Sequence, residues 1–333
     1  MAFQTGTSTS IENLMTQLST FVQANGWTED YFNSGDPGTI AFSKNNIFVS
    51  WQFSETASGI GVMACYTADA NDPADTLEPW TATGDSGSGI NTTSVISYQN
   101  ALNVNNFSGP HTNFWFFENN AAPAYVHIIV EVDAGRFRHF GFGELDKIGD
   151  WSGGEYTYGM SVFAGSQADD PNSVFNTYAM DSVESQSGGD RSAAMRLVDF
   201  VGEPSAATTW AQFHRAASND RAGNPRYLLK GGHRYSPEFG AIWWIRFSEF
   251  NAFKPMSPIS VTAIDFTGAP DSQRKLGFVA DTRCVNIANV TPAQIITIAG
   301  DQWYFFPLVR KQRLQLNTEE TFNFGLAYRR IDA

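Results

Sequence analysis

The residues of this chain with the chemistry to bind a metal or carry catalysis are five histidines, two cysteines and a few acidic clusters. His127 and His139 fall in two alternating apolar segments, with Glu131 between them. A hairpin of 125–132 with 136–143 pairs His139 with Ile129, one step along the same face from His127. Two imidazoles and a carboxylate on one sheet face are a donor set for Zn²⁺. Such a site demands strict ligand geometry, and the simpler reading is a pair of half-exposed strand histidines. No metal and no other cofactor is therefore assigned.

The other candidates are weaker. Gly84-Asp85-Ser86-Gly87 matches the nucleophile motif of trypsin-like serine proteases, which place their His and Asp before the Ser. Here His111, His127, His139, His214 and His233 all follow Ser86, so that order cannot be built, and a flexible loop is expected. Asp169-Asp170 and Glu319-Glu320 sit in polar stretches where solvation is the expected role. Asp69, Asn71, Asp72 and Asp75 lack the Gly and terminal Glu of a calcium loop. There is no glycine-rich nucleotide loop and no HExxH. Arg221, Arg226, Lys230, His233 and Arg234 form the one basic cluster, read either as a contact for an acidic neighbouring subunit or as a solvated loop. No catalytic residue is assigned, and the chain is not read as an enzyme.

At 333 residues the chain has room for one large β domain or two smaller ones. It carries 27 Phe, 9 Trp and 11 Tyr beside 29 Gly, with only 17% charged residues, which points to strands and loops rather than helical bundles. A net charge of −13 disfavours stable nucleic-acid binding over the whole surface but suits a surface past which DNA slides. Cys65 and Cys284 are far apart and in no metal-ligand spacing; two buried free thiols are expected. No basic region followed by an apolar run opens the sequence, so no signal peptide is expected. The apolar run 241–247 is too short to cross a bilayer and carries Arg246, so no membrane partner is expected.

These residues must be positioned by strands and one helix. Ile11, Leu14, Met15, Leu18, Phe21 and Val22 follow the 3.6 period, which predicts an amphipathic helix over 9–25. Thr9 and Glu12 have capping-box spacing, Gly26 marks the stop, and Trp27 is expected to fold back. The helix has no basic face, so it docks on a sheet or a neighbouring subunit rather than a membrane. Segments 39–43 and 47–53 read as a hairpin around Lys44-Asn45-Asn46, followed by a strand over 59–67. Strands over 114–117, 125–132 and 136–143 come next. Asp133-Ala134-Gly135 supplies a three-residue turn, with Ile128 facing Phe140 and Val126 facing Phe142. Residues 147–158 read as a shape-determining loop. Gly153-Gly154 allow close backbone approach there, and Trp151, Tyr156 and Tyr158 anchor it on its own domain or a neighbouring subunit. Stretches 68–94 and 166–191 are long polar excursions. Apolar patterning returns in 259–266, 275–279, 293–298, 303–309 and 322–331.

MAFQTGTSTSIENLMTQLSTFVQANGWT resembles the opening of a group of tailed-bacteriophage virion proteins: a Thr-Gly-Thr segment, one short helix, then Gly-Trp-Thr. FRHFGFGELDKIGDWSGGEYTYG resembles the central signature of that group, and DQWYFFPLVR and GLAYRR resemble its closing strands. The likeness covers about a third of the chain and brings no catalytic residues with it.

The expected fold is mainly β, an antiparallel β-sandwich or barrel-like arrangement with one N-terminal amphipathic helix and long loops. The expected division is an arm and helix over 1–30, a β domain over 31–165, a loop-rich insertion over 166–240, and C-terminal strands over 241–333 that complete the fold. The resemblance implies a structural subunit of a virion neck, collar or tail, assembled in the bacterial host cytoplasm as a homo-oligomeric ring. Its partners would be its own copies and other virion proteins, with genomic DNA passing but not stably bound. Exposed aromatics and long loops would serve as interlocking arms. The alternatives are a tail-fibre or baseplate receptor-binding module whose aromatic loops contact a host glycan and, behind it, a virion-associated glycan hydrolase.

Overall fold

A strand that is apolar on both faces needs cover on both sides, and Tyr125–Asp133 is such a strand, with residues 125–130 all buried. The computed structural model places it in the centre of a layered β architecture. The structure describes residues 2–35, 37–55, 61–68, 70–71, 80–81, 102–105, 108–158, 193–197, 210–212, 233–237, 256–265, 273–307 and 324–331.

In chain order, β1 (Ala2–Ser8) and the helix α1 (Ile11–Ala24) precede β2 (Thr28–Asn33), β3 (Gly38–Lys44), β4 (Ile47–Glu55) and β5 (Gly61–Ala68). The short pieces β6 (Ala70–Asn71), β7 (Trp80–Thr81) and β8 (Leu102–Asn105) follow. Then come β9 (His111–Asn119), β10 (Tyr125–Asp133), β11 (Arg136–Glu144), β12 (Asp146–Lys147) and β13 (Gly153–Tyr158). Next are β14 (Ala193–Leu197), β15 (Trp210–Gln212), β16 (His233–Pro237) and β17 (Ser257–Asp265). The last are β18 (Gln273–Asn286), β19 (Gln294–Ile298), β20 (Asp301–Pro307) and β21 (Phe324–Arg330). Every strand pairing among the described residues is antiparallel. The central sheet runs β1-β9-β10-β11-β13-β14-β15, a second β16-β17-β18-β21-β20-β19, and a third β2-β3-β4-β5-β8.

Strand alternation assigns each face of the central sheet its own partner. Phe114, Phe116, Val126, Ile128, Val130, Phe140 and Phe142 share one core with α1 and with Phe42 and Trp51 of the third sheet. On the opposite face, Trp115 meets Phe306 at 4.9 Å between ring centroids, and Phe117 stacks on Tyr328 at 5.5 Å, both in the second sheet. The expected mainly β, sandwich-like fold with one helix is what the described residues form.

The helix follows its apolar stripe, with Ile11, Leu14, Met15, Leu18, Phe21 and Val22 all buried. Its cap is Ser10 rather than Thr9, because the Ser10 hydroxyl is the one that accepts the Asn13 amide, at 3.0 Å. At the other end Gly26 takes φ +81°, and its amide and that of Trp27 bond back to Gln23 and Val22, a Schellman closure that folds Trp27 into the core. Segment 1–30 is therefore part of the main body: β1 is an edge strand of the central sheet, and α1 packs in its core. Short strands β14, β15 and β16 also fall within 166–240, the stretch read as a loop-rich insertion.

The hairpin register Ile128 with Phe140 and Val126 with Phe142 is as expected. The turn is one residue shorter: Asp133 pairs Arg136 across Ala134-Gly135, Gly135 has φ +76°, and a register shift after Glu131 absorbs the difference. Gly153–Tyr158, read from its glycines as a loop, is instead a strand of the central sheet with every residue buried.

Candidate functional site

The chemistry-bearing side chains gather where the central and second sheets face each other. His127 on β10 and His139 on β11 are fully buried there, not half-exposed. His127 Nε2 lies 3.0 Å from the Ala280 carbonyl, which only accepts, so Nε2 carries the proton and Nδ1 accepts from the Tyr158 hydroxyl at 2.9 Å. The Thr282 hydroxyl closes the same corner, 3.2 Å from Nε2 and donating to Ala280 O at 3.2 Å. His139 repeats the arrangement: Nε2 donates to the Pro307 carbonyl at 3.0 Å, and Nδ1 faces the Tyr328 hydroxyl at 2.9 Å. Tyr328 stacks on His139 at 5.8 Å and sits 5.5 Å from His127, so it stands between the two histidines.

Both histidines thus use both ring nitrogens to bridge strands, and their carbonyl partners lie in the second sheet. Burial lowers the His127 pKa to about 4, so the ring is neutral at pH 7. Burial also raises the Tyr125, Tyr156, Tyr158 and Tyr328 pKa values, which keeps these phenols protonated. Tyr125 stacks on His127 at 4.5 Å and donates to Asp281 at 2.8 Å. Asp281 accepts from Arg329 at 3.2 Å, and Arg329 reaches Asp301 at 2.7 Å. The result is a seam of imidazole, phenol and carboxylate that ties three strands of one sheet to three of another. The Tyr156 hydroxyl is buried without a hydrogen-bond partner among the described residues.

Glu131 does not join the histidines. Its carboxylate takes the Gly135 amide at 2.8 Å and the Asn113 side chain at 2.7 Å, so it serves the hairpin turn. Among the described residues no group of three His, Cys, Asp or Glu side chains is placed to hold a metal ion.

The loop before β13 is ordered by Lys147. Its ammonium is 3.0 Å from Glu144, donates to the Trp151 and Gly153 carbonyls at 3.3 and 3.1 Å, and lies 5.5 Å from the Trp151 ring centre. A Cβ on Gly154 would come within 3.1 Å of Lys147 and 3.2 Å of Trp151, and Gly153 and Gly154 hold φ values of +99° and +94°. The loop also docks on the second sheet through β12, which pairs with Gly277 and Phe278 of β18. Trp151, Gly153 and Gly154 thus pack within the chain, and Tyr156 and Tyr158 are spent in the seam. The large hydrophobics exposed among the described residues are Ile148, Ile295 and Ile298, so exposed aromatic arms are not found there.

Arg221, Arg226 and Lys230 lie outside the described residues, and Arg234 is described only as a backbone position of β16 paired with Ile264. Gly84–Gly87, Asp169-Asp170 and Glu319-Glu320 also lie outside them. Cys284 is a buried free thiol whose pKa burial pushes up to about 12, which leaves it inert. A cavity of about 140 Å³ at the start of α1 is lined by Ser10, Glu12, Ser34, Phe53 and Glu55. The Glu55 carboxylate accepts the Ile11 and Gly109 amides at 2.9 and 3.2 Å, so the positive end of the helix is met by the chain's own anion. No helix among the described residues is long and apolar enough to cross a membrane.

Sequence reasoning missed Tyr328, Thr282, Asp281 and the carbonyls of Ala280 and Pro307. The signal within reach was Tyr328 in a short alternating strand; nothing local links it to a histidine 189 residues away. No protein-family model matches the chain, and no curated protein matches it.

Proposed function

We propose that this chain is a structural subunit of a tailed-phage virion, a neck, collar or tail component that assembles with its own copies into a ring. The observation that carries the reading is where the phage-like segments fall. The N-terminal segment supplies β1, whose Phe3 packs on Tyr304 at 4.9 Å. The central signature supplies His139 and Tyr158, and the closing segments supply Pro307 and Tyr328. The central and closing segments, distant in sequence, thus meet at one buried seam, while the N-terminal helix packs in the apolar core on the other face of the central sheet. A resemblance carried by segments that build the two cores is a resemblance of architecture, as expected of a protein whose role is its shape.

The polar chemistry of the seam supports the same reading, since both imidazoles and the Tyr125, Tyr158 and Tyr328 hydroxyls are consumed in hydrogen bonds that hold the seam together. A net charge of −13 suits a component past which DNA moves without adhering. No catalytic role is assigned to any residue. Electron microscopy of intact particles that contain the chain tests the proposal: repeated copies closing a ring on the neck or tail axis are expected. Copies confined to peripheral fibres would replace it with the receptor-binding reading.

A further inference from the structure

The edge strands of a sheet carry unpaired backbone groups and are normally guarded. Among those whose side chains are described, β2 is guarded by Glu29 and Asp30, and β1 is half-buried and interrupted by a bulge between Gly6 and Ser8. β19 (Gln294–Ile298) has neither protection. Among the described residues it pairs only with β20, four of its five residues are exposed, and Ile295 and Ile298 are 46% and 41% exposed. No charged residue occurs anywhere from Ile287 to Gly300.

The backbone of this edge has a definite polarity. Ala299 and Gly300 both have positive φ, +53° and +94°, and form the two-residue turn of a hairpin closed by Ile298 and Asp301. The residues flanking such a turn are a hydrogen-bonded pair, and the pattern then alternates, so Ile298 and Ile296 bond to β20, while the Gln294 amide turns back to the Thr291 carbonyl at 3.0 Å. The N–H and C=O groups of Ile295 and Thr297 point away from the sheet. At the far end the template is closed by Pro292 and by Ala293, which has φ +59° and donates to Phe305 O at 2.8 Å.

We propose that β19 pairs antiparallel with β19 of a second copy of this chain about a two-fold axis at Ile296. In that register Ile295 of each copy lies opposite Thr297 of the other, and these are the residues whose backbone groups face outward. Every outward N–H and C=O then finds a partner, and Ile296 meets Ile296 of the second copy at the close, non-hydrogen-bonded position. Ile296 packs against the small core of Val285, Trp303 and Phe305, so the contact runs that core from one copy into the next. The pattern of the edge favours a second copy as the occupant: its two outward-facing residues flank Ile296 symmetrically, so the strand is complementary to itself, and no charged residue from Ile287 to Gly300 sets up like-charge repulsion at the contact. An edge of 5 residues buries less than the roughly 1,200 Å² of a stable interface, so the pairing is weak and concentration-dependent. It is a two-fold contact, distinct from the head-to-tail interface of a ring, and does not rest on the virion reading.

Cysteine cross-linking and sedimentation of the full-length chain test it. Ile296→Cys is expected to give a disulfide-linked dimer on mild oxidation. Ile298→Cys, which the register places opposite Gln294, is not, and the parent chain with its two native cysteines serves as the blank. Thr297→Pro removes only an outward N–H, and Ile295→Lys brings two cations close together at the contact. Each is expected to weaken the concentration-dependent dimer by about tenfold or more, with the melting temperature unchanged. A parent chain that stays monomeric at every concentration overturns the proposal, as does a dimer equally tight in both variants or cross-linking through position 298 and not 296. The cross-link reads the two-fold contact whether or not the chain also closes into rings, so its failure would not be confused with failure of the ring.

Discussion

At the scale of single residues, the account rests on how His127 is held. Its Nδ1 is a buried acceptor served by the Tyr158 hydroxyl, so Tyr158→Phe leaves an imidazole nitrogen unpaired in the interior. The expected cost is about 1–3 kcal/mol in urea unfolding; an unchanged midpoint would mean that the bond contributes nothing. The same histidine makes stability depend on pH. Its folded pKa is about 4, below the ordinary value of 6.5, so the unfolded chain binds more protons between those values. Its contribution is complete above pH 6.5 and is lost as pH falls toward 4, amounting to about 3 kcal/mol. Glu118 acts in the opposite sense, because burial raises its pKa and its ionisation weakens the fold as pH rises. The difference in unfolding free energy between the parent chain and His127→Gln across that window isolates the histidine; parallel pH profiles would contradict the assignment.

At the scale of elements, two glycines show what the sheets require. A Cβ on Gly141 would lie 2.4 Å from the Val126 carbonyl and 2.9 Å from the Tyr158 ring, and a backbone carbonyl cannot swing aside as a flexible side chain can. Gly141→Ala is therefore expected to destabilise by about 1–3 kcal/mol in chemical denaturation, whereas Gly135→Ala, with nothing within 4 Å, suffers only its positive φ. Trp151→Ala removes the ring under Lys147 and should lower the melting temperature without abolishing folding, because Lys147 keeps its bonds to Glu144 and to backbone carbonyls. An unaltered melting temperature would show that the ring is not part of the loop's packing. These elements also mark how far sequence reasoning reached. The α1 stripe and the β10–β11 register were legible because periodicity and a Gly turn are local signals. Strand β13 was not, since Gly153-Gly154 reads as a turn, and its strand state comes from Tyr156 and Tyr158 being buried against distant segments. The cap moved from Thr9 to Ser10 because the two hydroxyls are interchangeable in sequence until the first helical turn is placed.

At the scale of the whole molecule, three antiparallel sheets stack with the central one sharing a core on each side, one largely apolar and one built of imidazole, phenol and aromatic edges. The aromatic-rich composition signalled β structure, but it did not foretell that both faces of the central sheet would be covered. That depends on pairings such as Tyr125 with Asp281, 156 residues apart. The central and closing segments on which the proposal rests meet at the polar core, while the N-terminal helix and Trp27 pack in the apolar one, so the proposed role in assembly rests on a likeness of architecture. The most direct test is cryo-electron microscopy of intact virions containing the chain. The account predicts repeated copies arranged as a closed ring on the neck or tail axis, with the histidine–tyrosine seam inside each subunit. Placement only in peripheral fibres would contradict it.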